Sequence, residues 1–196
     1  MTIALTDRTE MAERYEPSLD DLFERLERMP VPEGYKTEIV EGTVFMSPQR
    51  DTHWEIILEI VEQLRTRYSR NRIKSDVRFD FPGHLNGFAP DVVALAKDAR
   101  KNDRGRWQHG DIECVAEVIS EDTAANDYGK KKRAYALAGV PVFLIADPYA
   151  AECHVLTHPG DGAYKSELTV AFGEKIDLTG TVAGLVLETA DFPTEA

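Results

Sequence analysis

Apolar residues recur at helical spacing in three stretches of the chain. At residues 18–29 an apolar stripe follows Ser18, a good N-cap residue, which predicts an amphipathic helix. Residues 52–68 predict a second, longer helix, and residues 123–140 predict a third that ends near Gly139. The apolar residues that repeat along the second helix are Trp54, Ile57, Leu58, Val61, Leu64 and Tyr68.

Shorter apolar runs predict the strands. Residues 35–48 predict two strands around Glu41 and Gly42, a pair typical of a tight hairpin. The strand, helix, strand unit at residues 112–147 favours a parallel crossover, whereas a hairpin is antiparallel. The sequence therefore predicts an α/β domain, with a mixed β-sheet core flanked by helices and with an N-terminal helix and β-hairpin. The other strands are predicted at residues 73–80, 90–96, 112–119 and 141–147, with short strands and turns after them.

Length and composition indicate one globular domain. The 196 residues suit a single domain at 18–190 between tails at 1–17 and 191–196. No apolar run approaches the roughly 20 residues of a membrane helix, and the start of the chain lacks signal-peptide features. A cytoplasmic protein with no membrane partner is therefore expected. Cys114 and Cys153 lie in apolar runs, which predicts buried free thiols rather than a disulfide.

The charge balance changes the range of partners. The chain has 23 Lys and Arg against 35 Asp and Glu, a net charge of -12, which argues against general attraction to nucleic acid. Basic residues are nevertheless concentrated at residues 65–74, 97–106 and 130–133. Each run is either a solvated charged face or part of a basic groove.

Two predicted strands each carry one carboxylate among apolar residues. Asp91 lies in "APDVVAL" and Glu117 in "CVAEVIS". A buried ionised carboxylate needs a cation, a hydrogen-bond network or a raised pKa. At about 100° per residue, Lys131 falls in the middle of a small and aromatic stripe of the third helix. These three residues predict a site for one divalent metal, magnesium or manganese, with a lysine beside it. The alternative is a buried ion-pair cluster.

The chain resembles the Uma2 family of restriction endonucleases, within the PD-(D/E)XK nuclease superfamily, over about Tyr35 to Tyr164. The resemblance lies in the order and spacing of "YKTEIVEGTVFMSP", "APDVVAL", "AEVIS" and "DYGKKKRAYALAGVPVFLIADP". It implies a restriction-endonuclease-like fold, with Asp91 as the acid of the PD element and Glu117 as the second acid. The superfamily's usual lysine would lie two residues further on, where this chain has Ile119. The resemblance gives that role to Lys131 instead.

Three further polar residues match family positions, namely Glu38, Glu41 and His53, and Asp127 is a fourth candidate from its place before Lys131. One of the hairpin acids, Glu38 or Glu41, is expected to reach the metal directly or through water, and strand alternation favours Glu38. A hairpin salt bridge is the alternative for either. His53 either joins the site or is a surface or capping group. Asp127, one turn before Lys131, either supports the site or interacts with the helix dipole.

The residues and the resemblance together predict a metal-dependent endonuclease that hydrolyses DNA. The metal would activate water and polarise a phosphoryl oxygen, while the lysine orients the nucleophile or offsets negative charge. A homodimer is expected, because cutting both strands takes two sites. Two alternatives stay open. A non-catalytic binding protein with the nuclease fold would suit the charge of -12 and the displaced lysine, and a hydrolase of a smaller phosphoester needs no long basic groove.

Overall fold

The computed structural model describes residues 16–30, 33–48 and 50–195, so most of the predicted tail at 1–17 lies outside the described residues. A π-helical segment, Asn126–Lys131, runs directly into the third helix. The helices and strands in chain order are α1 (Leu19–Glu27), β1 (Tyr35–Val40), β2 (Thr43–Pro48), α2 (Asp51–Leu64), β3 (Ile73–Lys74), β4 (Phe79–Phe81), β5 (Asn86–Phe88), β6 (Val92–Leu95), β7 (Ile112–Val118), α3 (Lys132–Leu137), β8 (Val142–Asp147), β9 (Glu152–Gly160), β10 (Ala163–Ala171), β11 (Lys175–Asp177) and β12 (Val186–Glu188).

A six-stranded mixed sheet forms the centre of the fold, with strand order β10-β9-β8-β7-β6-β3. β7 and β8 pair in parallel through the helical crossover, and the neighbouring pairs of this sheet are antiparallel. A second sheet has the order β2-β1-β5-β4, and β11 pairs with β12. The predicted α/β class and the parallel crossover are confirmed.

Apolar residues cover both faces of the six-stranded sheet, so its inner strands read as nearly continuous apolar runs. α2 packs on one face through Ile56, Ile60 and Leu64. On the other face lie Phe88 of the second sheet and Tyr135 of α3. Alternation places Asp91 and Glu117 on this second face, because the core there takes alternate strand residues such as Val93 and Val115. The two cysteines, Cys114 and Cys153, are buried and free, as predicted.

Local chemistry at the N-terminal helix and the hairpin agrees with the sequence patterns. Ser18 caps α1, since its hydroxyl accepts from Asp21 N at 3.2 Å while the Asp21 carboxylate accepts from Ser18 N at 2.8 Å. Between β1 and β2, Glu41 and Gly42 have φ values of 49° and 75°. Positive φ at both central residues is the type I′ geometry whose twist suits a two-residue hairpin.

The strand predicted at residues 73–80 is wrong. The chain forms β3 at the edge of the six-stranded sheet and then β4 in the other sheet. Between them Asp76 has a φ of 53°, which no strand accommodates. An apolar run alone does not reveal such a break.

α2 also differs from its prediction, because it ends at Leu64 rather than at residue 68. Trp54 and Leu58, two of its predicted apolar residues, are 53% and 41% exposed. The helix has more apolar positions than its buried face uses. β9 and β10 are nine residues each rather than short, and no helix among the described residues is long and apolar enough to cross a membrane.

Candidate functional site

Two adjacent strands of the central sheet position the acids Asp91 and Glu117. Asp91 immediately precedes β6, and Glu117 lies in β7, where Val92 faces Ala116 across the ladder. Asp91 is 3% exposed and Glu117 is 1% exposed. Asp91 N donates to Glu117 Oε2 at 3.3 Å, and Val118 N donates to Asp91 Oδ2 at 2.8 Å. The strand pairing therefore fixes both carboxylates beside each other.

Lys131 reaches the same point from the helical crossover. It is 2% exposed, so the inward orientation predicted from its helical position is correct. Its Nζ lies 2.6 Å from Glu117 Oε1 and 2.9 Å from Asp127 Oδ1, which comes from the preceding turn of the π-helical segment. Ile119, at the superfamily's usual lysine position, is buried in the apolar core instead. The helix supplies the lysine that the strand lacks.

The first strand of the hairpin adds two more charged groups. Lys36 and Glu38 are two residues apart in β1, so their side chains lie on the same face of the strand, and both point into the site. Lys36 Nζ donates to Asp91 Oδ1 at 2.8 Å. Glu38 Oε2 lies 3.0 Å from Lys131 Nζ, and Glu38 Oε1 accepts from Ala89 N at 2.9 Å. Lys36 is not among the site residues predicted from the sequence, although its position two residues before Glu38 was the available signal.

Of the other expected residues, one lies outside the cluster and two lie at it. Glu41 stands outside the cluster at the hairpin turn, where its half-exposed side chain lies 3.0 Å from Lys130 Nζ. His53 is buried in the first turn of α2, with Nε2 3.1 Å from Asp91 Oδ1 but without hydrogen-bond geometry. Asp127, 5% exposed, belongs to the cluster as an ion-pair partner of Lys131. Of the hairpin acids, Glu38 is the one that lies at the site.

Aromatic residues form the apolar side of the cluster. Tyr135 Oη donates a short hydrogen bond to Glu117 Oε1, which Lys131 also contacts. The Lys131 ammonium lies 5.7 Å from the centroid of the Phe88 ring. Phe81 and Phe88 both pack edge-on against Tyr135. This wall excludes water from one side of the charges, which strengthens their mutual interactions.

Neighbouring side chains lower the pKa of two acids. Burial by itself would raise the pKa of Asp91, but Lys36 and His53 outweigh burial and hold that pKa well below its ordinary value. Burial likewise opposes ionisation of Glu38, and the ammonium groups of Lys131 and Lys36 lower its pKa. Both carboxylates are therefore negative at neutral pH.

Burial dominates at the other two acids. It raises the pKa of Glu117 to about 8, although Lys131 and Lys36 act in the opposite direction. Burial also raises the pKa of Asp127, against the effect of Lys131. The cluster thus holds more negative charge than its lysines balance, and a proton can relieve the excess.

Counting formal charges shows the size of that excess. Four negative and two positive charges leave the fully ionised cluster at −2, from Glu38, Asp91, Glu117 and Asp127 with Lys36 and Lys131. One divalent cation would neutralise this charge. Three oxygens also converge on one point, since Asp91 Oδ1, Glu38 Oε1 and Glu117 Oε2 lie 2.8, 3.7 and 3.6 Å from Lys36 Nζ. Magnesium and manganese prefer such carboxylate oxygens.

The carboxylate oxygens of the cluster are thus suitable ligands for a divalent metal. The point at which they converge, however, is occupied by the Lys36 ammonium. As the side chains stand, no group of three or more His, Cys, Asp and Glu within residues 16–30, 33–48 and 50–195 is placed to hold a metal ion. The cavity between the site residues has a volume of about 10 Å³, room for one water at most. Ser47 Oγ and Thr123 Oγ1, which both border it, are 3.2 Å apart and hydrogen-bonded.

Comparisons with known proteins agree with the fold. A family model described as "Putative restriction endonuclease" matches residues 22–190. A crystal structure described as "a putative nuclease belonging to DUF820 from Anabaena variabilis ATCC 29413" superposes with a TM-score of 0.68 at 16% identity, covering 90% of this chain and 97% of that one. At that identity the likeness shows the fold alone. No curated protein matches the chain. The nuclease resemblance and the predicted fold are both confirmed.

Proposed function

The chain belongs to the Uma2 family of restriction-endonuclease-like proteins, and we propose that it is a divalent-metal-dependent endonuclease that hydrolyses phosphodiester bonds in DNA. The observation that carries this proposal is the convergence of three buried carboxylate oxygens beside two buried lysines. A cluster with a formal charge of −2 is costly in a protein interior unless a cation completes it. In a nuclease, that cation would take part in hydrolysis of the phosphodiester.

Three residues would hold the metal: Asp91, Glu117 and Glu38. A bound magnesium or manganese ion supplies activation of water and polarisation of a phosphoryl oxygen. Asp91 and Glu38 are the acids with lowered pKa, so they are ready as ligands at neutral pH. Glu117 has its pKa raised to about 8 by burial, and a cation bound beside it would lower that pKa and favour release of the proton.

The two lysines are proposed to contact the substrate phosphate. Lys131, fixed by Glu38 and Asp127, presents a positive charge at the site and offsets negative charge that develops on the phosphoryl group. Lys36 now occupies the convergence point; a bound metal would take that place, and the ammonium would then be free to act as a second phosphate contact. His53 Nε2 lies 3.1 Å from Asp91 Oδ1, the same oxygen that Lys36 contacts, and supports the position of this carboxylate. All of these groups come from the central sheet, the hairpin, α2 and the helical crossover.

A homodimer is part of the proposal, because double-strand cleavage takes two such sites. Basic residues at 65–74 and 97–106 would contact phosphates despite the net charge of -12, although Arg72, Arg104 and Arg106 also form salt bridges within the protein.

A second candidate is a non-catalytic protein that retains the nuclease fold. One observation favours it: Lys36 pairs with Asp91 and Lys131 pairs with Glu117, so the acids have cations without any metal. In that case the cluster stabilises the packing of the hairpin against the central sheet, and neither metal nor DNA is needed.

Two measurements on purified protein distinguish these candidates. Supercoiled plasmid is incubated with magnesium or manganese and with wild type, Asp91→Asn or Glu41→Gln, the last being a matched acid outside the cluster. The proposal expects cleavage by wild type and Glu41→Gln, and a loss of about 100-fold or more in Asp91→Asn. Manganese binding by calorimetry is expected to disappear in the same variant. Cleavage that persists unchanged in Asp91→Asn refutes the site, and a wild type with neither cleavage nor metal binding favours the second candidate.

A further inference from the structure

A groove of about 420 Å³ lies between α2 and the edge strand β3. Its apolar wall comes from α2, where Trp54 and Leu58 are 53% and 41% exposed. Two large apolar side chains on one helix face, left open to solvent, are a feature of binding surfaces. We call this feature the α2 groove.

The charge of the α2 groove is opposite to that of the whole protein. Its lining includes Arg65, Arg70 and Lys74, and no acid from the described part of the chain lines it. The chain as a whole carries 35 acids against 23 Lys and Arg. Within the described residues, no carboxylate forms a salt bridge with any of these three cations, and Lys74 instead lies 5.0 Å from the centroid of the Trp107 ring. The groove is thus a local positive site with unneutralised charges.

Both walls of the groove lead to Asp91. On the helix side, Trp54 directly follows His53, whose Nε2 lies 3.1 Å from Asp91 Oδ1. On the strand side, Lys74 pairs with Val93, two residues after Asp91. Each wall of the groove is therefore joined, within one or two residues, to Asp91 or to its contact His53.

We infer that the α2 groove binds a single strand of nucleic acid, with an unpaired base stacked on Trp54 and phosphates on Arg65, Arg70 and Lys74. This inference rests on the proposed function and adds a substrate class to it. An exposed indole beside spaced cations is the combination that single strands require, because bases stack on aromatic faces while the backbone follows positive charge. The strand leads a phosphodiester from the groove to Asp91.

The apolar wall is what favours a single strand over a duplex. In a duplex the base faces are stacked on each other, and the outer surface is a wall of phosphates that gains nothing from Trp54 and Leu58. An unpaired base has an exposed apolar face to bury against the indole. The groove volume of about 420 Å³ also lies in the range of small-ligand sites.

The test measures binding without cleavage, in EDTA, by fluorescence anisotropy of a labelled single-stranded DNA of about 15 nucleotides. Wild type is compared with Trp54→Ala, Trp54→Phe, the double variant Arg65→Ala/Arg70→Ala, and Arg133→Ala as an exposed cation outside the groove. Trp54→Ala is expected to weaken binding about tenfold, with Trp54→Phe close to wild type. The double variant is expected to lower the slope of log Kobs against log salt by about 1.4, and Arg133→Ala to leave it unchanged.

A second readout reports Trp54 directly. The chain has two tryptophans, so Trp107→Phe leaves Trp54 as the source of indole fluorescence. Addition of single-stranded DNA is expected to quench it. Equal affinity of Trp54→Ala and wild type, or tighter binding of duplex than of single strand, overturns the inference. A loss of self-association in Trp54→Ala with DNA binding intact assigns the groove to a second copy of the chain and also overturns it. Because no metal is present, these results do not depend on whether the protein cleaves DNA.

Discussion

Lys36 donates a 2.8 Å hydrogen bond to Asp91, and this places its ammonium where three carboxylate oxygens converge. A cation is therefore already present at the point that the proposed metal would use. The lysine stabilises the metal-free fold, since it neutralises a carboxylate that is buried and negative. It also competes with the metal, because two cations in one place repel each other.

Lys36→Met separates these two effects. Without the ammonium, the cluster is more negative and its convergence point is open, so manganese affinity by calorimetry is expected to rise about tenfold or more. In metal-free buffer the variant is expected to lose about 3 kcal/mol of unfolding free energy or more, because Asp91 is left without its main partner. Lys130→Met, at a half-exposed lysine, is the matched control. Unchanged metal affinity in Lys36→Met would show that the lysine does not occupy the metal position.

Glu117→Gln tests the excess negative charge of the cluster through the pH dependence of the free energy of unfolding. The folded protein holds the Glu117 proton up to a pKa of about 8, whereas the unfolded chain releases it near its ordinary value of 4.5. Between these values the folded state binds more protons, so the free energy of unfolding falls as pH rises, by up to about 1.4 kcal/mol per pH unit. Thermal unfolding of metal-free protein from pH 5 to pH 8 is expected to show this fall in wild type.

The same series in Glu117→Gln is expected to be flatter, because the amide does not titrate. Asp91 does not confuse the comparison, since its lowered pKa affects stability only in more acidic solutions. Parallel curves for the two proteins would mean that the carboxylate at Glu117 is ionised throughout, with Lys131 fully compensating its burial.

Strand alternation and helical periodicity were enough to find Asp91, Glu117 and Lys131, because each depends on which side of one element a residue faces. Lys36 was missed for a different reason. A lysine in an outer hairpin strand is normally solvated, and only the antiparallel pairing of β1 with β5 brings this one over the central sheet. That pairing depends on tertiary packing rather than on a local pattern.

The exposed apolar residues of the α2 groove show the same limit from the opposite direction. Trp54 and Leu58 fit the apolar period of α2, yet the sheet beneath the helix covers only the side formed by Ile56, Ile60 and Leu64. Periodicity identifies apolar residues but not the partner that buries them. The chain likewise breaks at Asp76, because β3 joins the six-stranded sheet and β4 joins the other sheet. The single apolar run at residues 73–80 does not reveal this division.

Lys131→Met tests how much the buried lysine of the helical crossover stabilises the fold. Lys130→Met is the matched control, because it makes the same substitution at the neighbouring residue. Lys131 contacts Glu38, Glu117 and Asp127, so its removal leaves three buried carboxylates without their shared cation. Urea unfolding is expected to show a loss of about 3–5 kcal/mol in metal-free protein, against about 0.5 kcal/mol or less for Lys130→Met. Manganese is expected to restore part of the loss. Equal stability of the two variants would contradict the ion-pair network.

Thr123→Val tests whether the site must open to admit a phosphate. The site cavity of about 10 Å³ is too small for one, and the hydrogen bond between the Ser47 and Thr123 hydroxyls links β2 to the start of the crossover helix beside it. Valine keeps the shape of threonine and removes the hydroxyl, which weakens the closed state by about 1 kcal/mol and raises the open population about fivefold. Plasmid cleavage below saturation is expected to accelerate by a similar factor. Thr169→Val, at an exposed threonine on β10, is expected to change nothing. An unchanged rate in Thr123→Val would mean that this hydrogen bond does not limit entry.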